Sequence, residues 1–503
     1  MKALLEKLKE NNILVVLNGG DLKIKFDKEI PNDIIEEIKQ NKAEIINYLK
    51  SINGKNQLAN IPTVQEQSSY VLSSSQHRLW ILSQFDDGNL AYNIPGVFQF
   101  KGHLNIGVFE SALRTLVERH EILRTVFKEN ASHEIQQWIR PIAKEVLLHR
   151  ILTNEEATDE NIKHIIQAEI QKPFDLTEGP LFRMTLLQLD KERYVFIYVI
   201  HHIISDGWSM GVIIRDLLAL YNAFINGHNN PLKPLGIQFK DYATYQQSQL
   251  NDMGFLAHKN YWLKQFEGEL PILEMPTDKT RPAIKTYNGG AVSAIINKTL
   301  TQKLKALNVQ KGITLFMSLV SSVVALLYKY TNQKDIIIGC PIAGRELPEL
   351  EDQIGFYVNT LALRNRFEGN DSFSALLNHV KETTINAYEH QSYPFDRLID
   401  DLRLRRDTSR NALFDVMVVL QNADAKNNES TRQDFENIET TEISLDEYAV
   451  PKFDLTFNFI EVKDEIKLTL EYNSDLFNAK TISSIGKNLV QVLHNVLANP
   501  DQT

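Results

Sequence analysis

The sequence has very little cysteine, because Cys340 is the only one in the chain. A disulfide within the chain needs a second cysteine and a cysteine-based zinc site needs several, so both are excluded. The sequence also has no excess of positive charge, since its formal net charge is −10. Nucleic-acid binding needs a dense basic surface, and this composition argues against that class of protein.

A long apolar run is missing as well, so no segment has the length of a membrane span. At the N-terminus, Lys7, Lys9 and Glu10 interrupt the apolar residues too early for the core of a signal peptide. The chain has 503 residues, which is enough for about two to four globular units. We therefore expect a cytoplasmic protein without a membrane partner.

Residues 1–50 have the pattern of a small self-contained unit. Apolar residues at helical spacing lie at both ends of it, and two β-rich runs, 13–17 and 22–26, flank a turn-forming Asn-Gly-Gly-Asp segment. This order predicts a helix, a hairpin and a second helix. In the second run, Lys23 and Lys25 alternate with apolar residues, which places the lysines on the opposite face.

Residues 51–70 are rich in serine, asparagine and glutamine, which indicates a linker. From residue 71 to the end, helical and strand patterns alternate, as in the helical 109–120 and the strand-like 194–200. Over so long a stretch, this alternation indicates two α/β layers and argues against a helix bundle or a β-sandwich. The polar segment around 422–440 is expected to be a surface loop.

The clearest chemical signal is the segment HHIISDG at residues 201–207, directly after the strand-like run. Adjacent strand residues point to opposite faces, so His201 and His202 cannot both bind one metal ion from a regular strand. One imidazole should face inward, and the other can accept a proton near neutral pH. Asp206 and Gly207 should form a turn, where the carboxylate either orients the imidazole or pairs with an arginine. The alternative is that both histidines are structural, and the absence of a G-x-S-x-G segment argues against a serine nucleophile.

This segment resembles the hallmark H-H-x-x-x-D-G of the condensation-domain family of non-ribosomal peptide synthetases. Segments similar to the other family motifs occur in the family's order, so the resemblance covers about residues 70–503. Gln76 and Arg78 in the first of these motifs indicate packing between lobes. Four motifs depart from the pattern at one position each. Gln246 stands where tryptophan is usual, Tyr357 where phenylalanine is usual, Asp396 where glutamate is usual and Ala412 where proline is usual. The motifs lie at residues 73–82, 119–127, 240–246, 354–364, 390–402 and 406–417.

Residues 1–50 separately resemble the TubC-type N-terminal docking domain. The two resemblances together imply an α/β (α+β) fold with two chloramphenicol-acetyltransferase-like lobes arranged as a V. We expect the N-terminal lobe to span residues 71–245 and the C-terminal lobe to span residues 246–503. A small helix–hairpin–helix docking domain would precede them.

The resemblance implies an acyltransferase that forms an amide bond between a donor acyl or peptidyl thioester and an acceptor aminoacyl thioester. Both substrates would arrive on phosphopantetheine arms of carrier proteins, through a tunnel between the lobes. The domain itself would bind no cofactor and no metal. Its partners would be the upstream and downstream carrier proteins and a downstream adenylation domain, and we expect the natural protein to continue beyond Thr503.

The resemblance also implies roles for individual residues. His202 would take a proton from the acceptor amine or hold that amine in line, and Asp206 would pair with Arg345 to brace the site. Gly207 would let the backbone approach the substrate. Three further candidates belong to the motif or line the tunnel, namely His201, Asn359 and Asn422.

The docking domain implies a partner of its own. An edge strand that carries Lys23 and Lys25 favours an extended acidic peptide, such as the C-terminal tail of an upstream synthase. The alternative is that these lysines only protect the edge from aggregation.

Two other functions remain open at this point. The first is a relative of the same family that epimerises its substrate or only recruits another protein. The second is a stand-alone acyltransferase that acts on free alcohols or amines. The docking unit argues against the stand-alone enzyme, and the intact histidine motif argues against a pure recruitment domain.

Overall fold

The chain divides into two compact units, Met1–Ile61 and Pro62–Thr503. The computed structural model describes residues 14–18, 21–25, 61–84, 90–250, 252, 255–404, 407–421, 435–445 and 450–502. The first two of these ranges are described by their backbone alone.

In the first unit, strands β1 (Leu14–Asn18) and β2 (Asp21–Lys25) form an antiparallel hairpin. Asn18 lies opposite Asp21, so two residues separate the paired ends. Two-residue hairpin connections favour glycine, and the sequence has Gly19 and Gly20 there. The predicted hairpin is confirmed, whereas the two helices predicted around it lie outside the described residues.

The second unit contains two large sheets and one small ribbon. The strands of the five-stranded sheet are β3 (Asn93–Gly102), β6 (Leu148–Ile151), β7 (Phe182–Gln188), β8 (Arg193–His201) and β13 (Ile438–Glu442). The six-stranded sheet consists of β9 (Gly289–Ile296), β10 (Asp335–Ile342), β11 (Asn359–Arg366), β12 (Val416–Gln421), β14 (Leu455–Val462) and β15 (Glu465–Asn473). The ribbon pairs β4 (Thr125–Glu129) with β5 (Ile135–Ile139).

Eleven α-helices lie among the described residues and interleave with these strands. They are α1 (Ser74–Leu82), α2 (Ile106–Arg119), α3 (Asp159–Gln171), α4 (Gly207–Ile225), α5 (Phe239–Gln249), α6 (Phe255–Gln265), α7 (Lys298–Lys311), α8 (Leu315–Thr331), α9 (Phe373–Glu389), α10 (Phe395–Leu402) and α11 (Ala479–Ala498). The helix predicted at 109–120 is confirmed by α2, and the strand predicted at 194–200 is confirmed by β8.

The five-stranded sheet has the order β13–β3–β8–β7–β6 and is antiparallel except for the pair β6–β7. The six-stranded sheet has the order β11–β10–β12–β14–β15–β9, and β12 pairs in parallel with both of its neighbours. Helices interleave with both sheets along the chain, and this is the mixed α/β architecture that the sequence predicted.

One predicted surface loop is wrong in part, because residues 438–442 form strand β13. This strand pairs in antiparallel fashion with β3, from Ile438 opposite Gly102 to Glu442 opposite Phe98. A late segment of the chain therefore adds a strand to the sheet of the early segment. The segment 422–434 of the predicted loop lies outside the described residues.

Aromatic side chains build the core between the five-stranded sheet and helices α2 and α4. The Phe109 ring lies 5.2 Å from the Phe196 ring, and Tyr221 of α4 lies 5.1 Å from Phe435. Phe109 and Tyr221 are both fully buried, so they fix α4 against the sheet. The position of α4 matters because its first turn carries the end of the histidine motif.

Helix α4 is also the one described helix that is long and apolar enough to cross a membrane, or one of two such spans if the bent pair α7 and α8 is counted. Core helices of soluble proteins pass the same test. Asp216 in the middle of α4 is fully buried and accepts hydrogen bonds from Arg119 and His120, at 3.2 Å each. A buried carboxylate with two cationic or imidazole partners is typical of a helix packed inside a protein.

The boundary predicted between the lobes, at residues 245–246, falls inside helix α5. Both sheets lie within Pro62–Thr503, which is one compact unit. The lobe boundary therefore stays a prediction, and the contacts between the two sheet systems are described below as contacts within this unit.

Candidate active site

The histidine motif forms the connection between β8 and α4. The sequence predicted a turn at Asp206 and Gly207, and this prediction is wrong. A 3₁₀ turn at His202–Ile204 reverses the chain, and α4 begins at Gly207 with Asp206 as its N-cap. The carboxylate of Asp206 accepts a hydrogen bond from the Ser209 N–H at 2.8 Å, which satisfies a free amide of the first helical turn.

The sequence predicted that one of the two histidines faces inward, and that residue is His201, whose side chain is fully buried. Its Nδ1 accepts a hydrogen bond from the Ile203 N–H at 3.2 Å, so the neutral ring carries its proton on Nε2. The Phe174 ring lies 5.9 Å away. Burial, and then the charges of Lys452 and Arg183, lower the pKa of His201 to about 3. His201 is therefore an uncharged structural residue at neutral pH.

His202 is partly exposed and has the opposite tautomer. Its Nδ1 lies 2.8 Å from the carbonyl oxygen of Ser205, which can only accept, so the proton lies on Nδ1. The Nε2 lone pair makes no hydrogen bond to the described part of the chain. Burial, and then the charge of Lys452, lower the pKa of His202 well below its ordinary value. The imidazole is therefore neutral at pH 7 and can accept a proton at Nε2.

Helix α1 holds the turn that carries His202. Gln76 is fully buried, and its Nε2 donates to the carbonyl oxygen of Ile203 at 3.2 Å. Its Oε1 accepts from the Ser73 N–H at 3.1 Å, which completes a capping box at the start of α1. Gln76 therefore braces the turn that carries His202, because this side chain fixes the backbone one residue after it. Its predicted packing between the lobes stays a prediction.

Asp206 and Arg345 form the ion pair that the family resemblance implies, and this prediction is confirmed. The Nη2 of Arg345 donates to the Asp206 carboxylate at 3.0 Å and to Ser209 Oγ at 3.0 Å. The exposed fraction of the side chain is 0% for Asp206 and 2% for Arg345. The Tyr357 N–H also donates to Asp206, at 3.1 Å. The carboxylate thus joins the start of α4 to two separate segments of the later chain.

Gly344 directs Arg345 into this network. Its φ is +65°, and a Cβ there would collide with the carbonyl oxygen of Tyr357. The Nη1 of Arg345 then donates to the carbonyl oxygens of Leu350 and Gln353, at 2.6 and 3.0 Å. With these bonds the guanidinium braces the loop after Gly344. They account for the burial of Arg345 without a direct contact between Arg345 and substrate.

Gly207 borders an open volume beside His202. A Cβ at this position would have no neighbouring atom within 4 Å. The next residue, Trp208, is 47% exposed and donates from Nε1 to the Glu351 carbonyl oxygen at 2.9 Å. At the start of α4, Trp208 is therefore held by a hydrogen bond while the space beside Gly207 is open. This is consistent with the substrate approach predicted at Gly207.

The two predicted tunnel asparagines have different outcomes. The Nδ2 of Asn359 donates to the carbonyl oxygens of Gln391 and Tyr393, at 2.8 Å each, and its Oδ1 accepts from the Phe395 N–H at 2.9 Å. These bonds give the side chain a bracing role at the start of α10, and the predicted contact with the tunnel stays a prediction. Asn422 lies outside the described residues.

Two lysines near the histidines were missed by the sequence reasoning. The Nζ of Lys452 lies 5.0 Å from the centroid of the Tyr92 ring, which lies 6.3 Å from the His202 ring. Lys285 donates from Nζ to Asn411 Oδ1 at 2.6 Å and to the Lys452 carbonyl oxygen. Burial lowers the pKa of each lysine to about 8. No local pattern signals these residues, because their neighbours come from distant parts of the chain.

A cavity of about 510 Å³ opens between helix α3 and the segment before β9. Its walls include His164 of α3 and the residues Tyr287 and Val450. Tyr287 also lies beside Lys285, whose Nζ is 5.2 Å from the ring centroid. The cavity is therefore connected to Lys452 through Tyr287 and Lys285, whose Nζ donates to the Lys452 carbonyl oxygen. Among the described residues, no group of three or more His, Cys, Asp or Glu is placed to hold a metal ion.

The neutral histidines predict a loss of stability in mild acid. The fold lowers the pKa of both His201 and His202, whereas in the unfolded chain each binds a proton near pH 6.5. Below that pH the unfolded state binds more protons than the folded state. The free energy of unfolding should therefore fall by about 1.4 kcal/mol per pH unit for each such histidine.

Urea unfolding at pH 7.5, 6.5 and 5.5 would measure this effect. Between pH 6.5 and 5.5, the variant His201→Asn should lose less free energy of unfolding than the wild type. The difference should equal the contribution of one of the two histidines. The exposed His228 offers a control, because His228→Asn should keep the wild-type slope. A free energy of unfolding that stays constant down to pH 5.5 would contradict the prediction.

Comparison with known proteins identifies the family of the chain. The sequence model of the condensation domain matches residues 66–503, and that of the TubC N-terminal docking domain matches residues 1–51. Bacitracin synthase 3 of Bacillus licheniformis is 39% identical over 444 residues, which is 88% of this chain. Gramicidin S synthase 2 of Brevibacillus brevis is 38% identical over 462 residues, which is 91% of this chain. The chain spans only 7% and 10% of the length of these two relatives.

Solved structures show the same fold. The X-domain in its complex with OxyB from teicoplanin biosynthesis has a TM-score of 0.80 at 25% identity, covering 88% of this chain and 96% of that one. The first condensation domain of the CDA synthetase has a TM-score of 0.68 at 19% identity, covering 87% and 98%. The family match spans nearly all of Pro62–Thr503 and includes the histidine motif. The chain therefore belongs to the condensation-domain family, with a TubC-type docking sequence at its N-terminus.

Proposed function

We propose that this chain forms an amide bond between a donor acyl or peptidyl thioester and the amine of an acceptor aminoacyl thioester. The observation that carries the proposal is the neutral His202 imidazole, with Nδ1–H held by the Ser205 carbonyl and the Nε2 lone pair free. This base is fixed in the turn just before α4, and the space at Gly207, where α4 begins, is open. Such an arrangement suits proton transfer from an attacking amine.

The reaction would proceed through a tetrahedral intermediate. The acceptor nitrogen attacks the donor carbonyl carbon, so a C–N bond forms and the carbonyl electrons move to oxygen. The C–S bond then breaks, the carbonyl re-forms, and the donor carrier leaves as a thiolate. The Nε2 of His202 takes the proton that the nitrogen loses and returns it to the sulfur.

The lowered pKa of His202 limits the step at which it acts. An imidazole with so low a pKa is a poor base for an ammonium group, whose ordinary pKa is about 8. A useful fraction of the acceptor amine is already neutral at pH 7. The zwitterionic intermediate is far more acidic, so His202 can take its proton at that stage.

The substrates would be delivered by an upstream and a downstream carrier protein on phosphopantetheine arms. The domain itself would need no bound cofactor, since the arms belong to its substrates. The cavity beside Tyr287 is a candidate entrance, because Tyr287 lies beside Lys285, which bonds to the main chain of Lys452. We place the reaction in the cytoplasm and expect an adenylation domain downstream of the chain.

The hairpin of the first unit supports a docking role for Lys23 and Lys25. Strand β2, which contains both lysines, pairs only with β1 among the described residues, so its other edge can accept an added strand. We propose that this edge binds an acidic C-terminal tail of an upstream synthase. Exposed charge contacts are screened within about 10 Å at 0.1 M salt, so the affinity should fall as salt is added.

Replacing both Lys23 and Lys25 with glutamate should abolish transfer from the upstream carrier at low carrier concentration. Transfer should return when that carrier is supplied in large excess, because the catalytic unit is unchanged. Lys42→Glu combined with Lys50→Glu is a control with the same change in charge and should keep normal transfer. Binding of an acidic tail peptide, measured by titration at two salt concentrations, would refute the role if the first variant binds as the wild type does.

The proposed function is tested by the form of the substrate that reacts. Carrier-bound acyl and aminoacyl thioesters should give an amide, while free amines and alcohols should react far more slowly. Rapid acylation of free alcohols would favour a stand-alone acyltransferase. Inversion of the carrier-bound residue without transfer would favour epimerisation, and the absence of any reaction would favour a recruitment role.

A further inference from the structure

The cations around His202 are not equivalent. Arg345 is held by Asp206 and by main-chain carbonyl oxygens. Arg78 donates to the Asp396 carboxylate at 2.7 Å, and Lys285 donates to Asn411 and to a main-chain carbonyl. The ammonium of Lys452 has no hydrogen bond or ion pair within the described part of the chain.

Lys452 nevertheless lies close to the histidines, and the Tyr92 ring is their common neighbour. Its Nζ lies over the face of Tyr92, 5.0 Å from the ring centroid. The same ring lies 6.3 Å from His202 and 6.5 Å from His201. After burial, the charge of Lys452 is the largest cause of the lowered pKa of both imidazoles. The ammonium and the predicted reaction centre thus share one aromatic neighbour.

An ammonium in this position needs an oxygen acceptor. The π face of Tyr92 offers only a weak interaction, of about 0.5–2 kcal/mol. Burial lowers the pKa of Lys452 to about 8, and the charge of the Glu471 carboxylate is the one influence that raises it. A Lys side chain has three N–H donors and no acceptor. Solvent water can accept from these donors, but a substrate that displaces the water must offer an oxygen in its place.

We propose that Lys452 is a substrate-binding residue that donates a hydrogen bond to an oxygen of the acyl group on a carrier-bound substrate. This inference rests on the proposed function, since it requires a carrier-bound acyl group to reach the surroundings of His202. Its position beside the ring that also neighbours the His202 imidazole suits the part of the acyl group next to the reacting carbonyl. The oxygen belongs either to a backbone or thioester carbonyl or to a side-chain carboxylate.

One charged group acts on this lysine, the Glu471 carboxylate on β15. The neutral imidazoles nearby are His201, the last residue of β8, and His202, which begins the turn after it. The Tyr92 ring is itself influenced by further charged and phenolic groups. Those groups are Arg78, Asp396 and Tyr287.

The first test is chemical labelling of Lys452 in the whole chain. An amine-reactive ester at pH 8 should modify Lys452, because its lowered pKa leaves much of the amine unprotonated. A donor carrier loaded with a non-hydrolysable acyl analogue should protect Lys452 at least about fivefold, read from the mass of its peptide. The exposed Lys329, whose Nζ lies 5.6 Å from the Tyr328 ring, is the control that should stay unprotected. Equal labelling of Lys452 with and without the loaded carrier would overturn the inference.

The second test is kinetic and uses Lys452→Met, Lys452→Arg and the control Lys329→Met. Lys452→Met should lower kcat/KM at least about tenfold, as expected for loss of a hydrogen bond from a charged donor. Lys452→Arg should recover most of that loss, and Lys329→Met should behave as the wild type. Unchanged kcat/KM in a folded Lys452→Met variant would overturn the inference.

A series of acyl groups identifies the oxygen. If the acceptor is a side-chain carboxylate, the loss in Lys452→Met should be confined to a glutamyl donor. If it is a carbonyl common to all donors, glutamyl, glutaminyl and methionyl donors should lose activity equally. Failure of the proposed function would look different, because the wild type would then form no amide with any donor, whereas labelling and its protection report binding alone.

Discussion

Replacing His202 with alanine should lower the rate of amide formation at least about tenfold while the fold stays intact. The side chain is partly exposed, and its one hydrogen bond among the described residues goes to the Ser205 carbonyl in its own turn. Its ring also contacts that of Phe356, with centroids 4.7 Å apart, so its loss removes aromatic contact and no hydrogen bond to another segment. The loss should appear in the rate at saturating substrate, because the imidazole acts on the intermediate and contributes little to binding.

The rate should be measured in single turnover, alongside the melting temperature of each variant. His228→Ala removes an exposed histidine after α4 and should leave both quantities unchanged. A His202→Ala variant that melts as the wild type does and forms amide at the wild-type rate would exclude the proposed role. The neutral Nε2 would then need another explanation.

Replacing Asp206 with alanine should reduce the free energy of unfolding by about 3–5 kcal/mol, because it leaves the buried guanidinium of Arg345 without its carboxylate. The same change removes the N-cap of α4 and the acceptor of the Tyr357 N–H. Activity should fall with stability, since the turn that carries His202 is fixed from this point. Urea unfolding at pH 7.5 measures the change.

Two further variants separate the charge from the cap. Asp206→Asn keeps an N-cap acceptor and should lose less stability than Asp206→Ala. Asp206→Ala combined with Arg345→Met removes both charges, so its loss should be smaller than the sum of the two single losses. Strictly additive losses, or an Asp206→Ala variant that melts as the parent does, would show that the ion pair does not brace the site.

The sequence predicted those parts of the site that depend on neighbours along the chain. The strand before His201, the opposite environments of His201 and His202 and the helix at 109–120 all follow from local periodicity. The Asp206–Arg345 pair came from the family resemblance. The N-cap at Asp206 was mistaken for a turn because Gly207 and Gly211 are poor helix formers, and the start of α4 depends on its long-range contacts instead.

The parts that were missed depend on contacts between distant segments. Residues 438–442 are mostly polar and look like a loop, but they form an edge strand because β3 offers them a partner. Lys452 has no distinctive sequence context. Its position matters only because the Tyr92 ring, which it contacts, also neighbours the two histidines.

Two of the four departures from the family motifs also acquire a common explanation. Gln246 and Tyr357 looked independent in the sequence, but both contact Tyr242. The ring of Tyr357 lies 4.6 Å from that of Tyr242, and the Nε2 of Gln246 donates to the Tyr242 hydroxyl at 3.2 Å. The two residues that depart from the family pattern therefore contact the same side chain, Tyr242. The Arg345 guanidinium lies close by, 4.1 Å from the Tyr357 ring centroid.

The central claim is that this chain transfers an acyl group from one carrier to the amine held by another. The most direct measurement is the intact mass of both carriers during a single turnover at pH 7.5, with the donor carrier acylated and the acceptor carrier aminoacylated. We predict that the acceptor carrier gains the mass of the acyl group while the donor carrier returns to its free thiol, in equal amounts and at the same rate. Loss of the acyl group from the donor carrier without a matching gain on the acceptor carrier, or no change in either mass, would contradict the account.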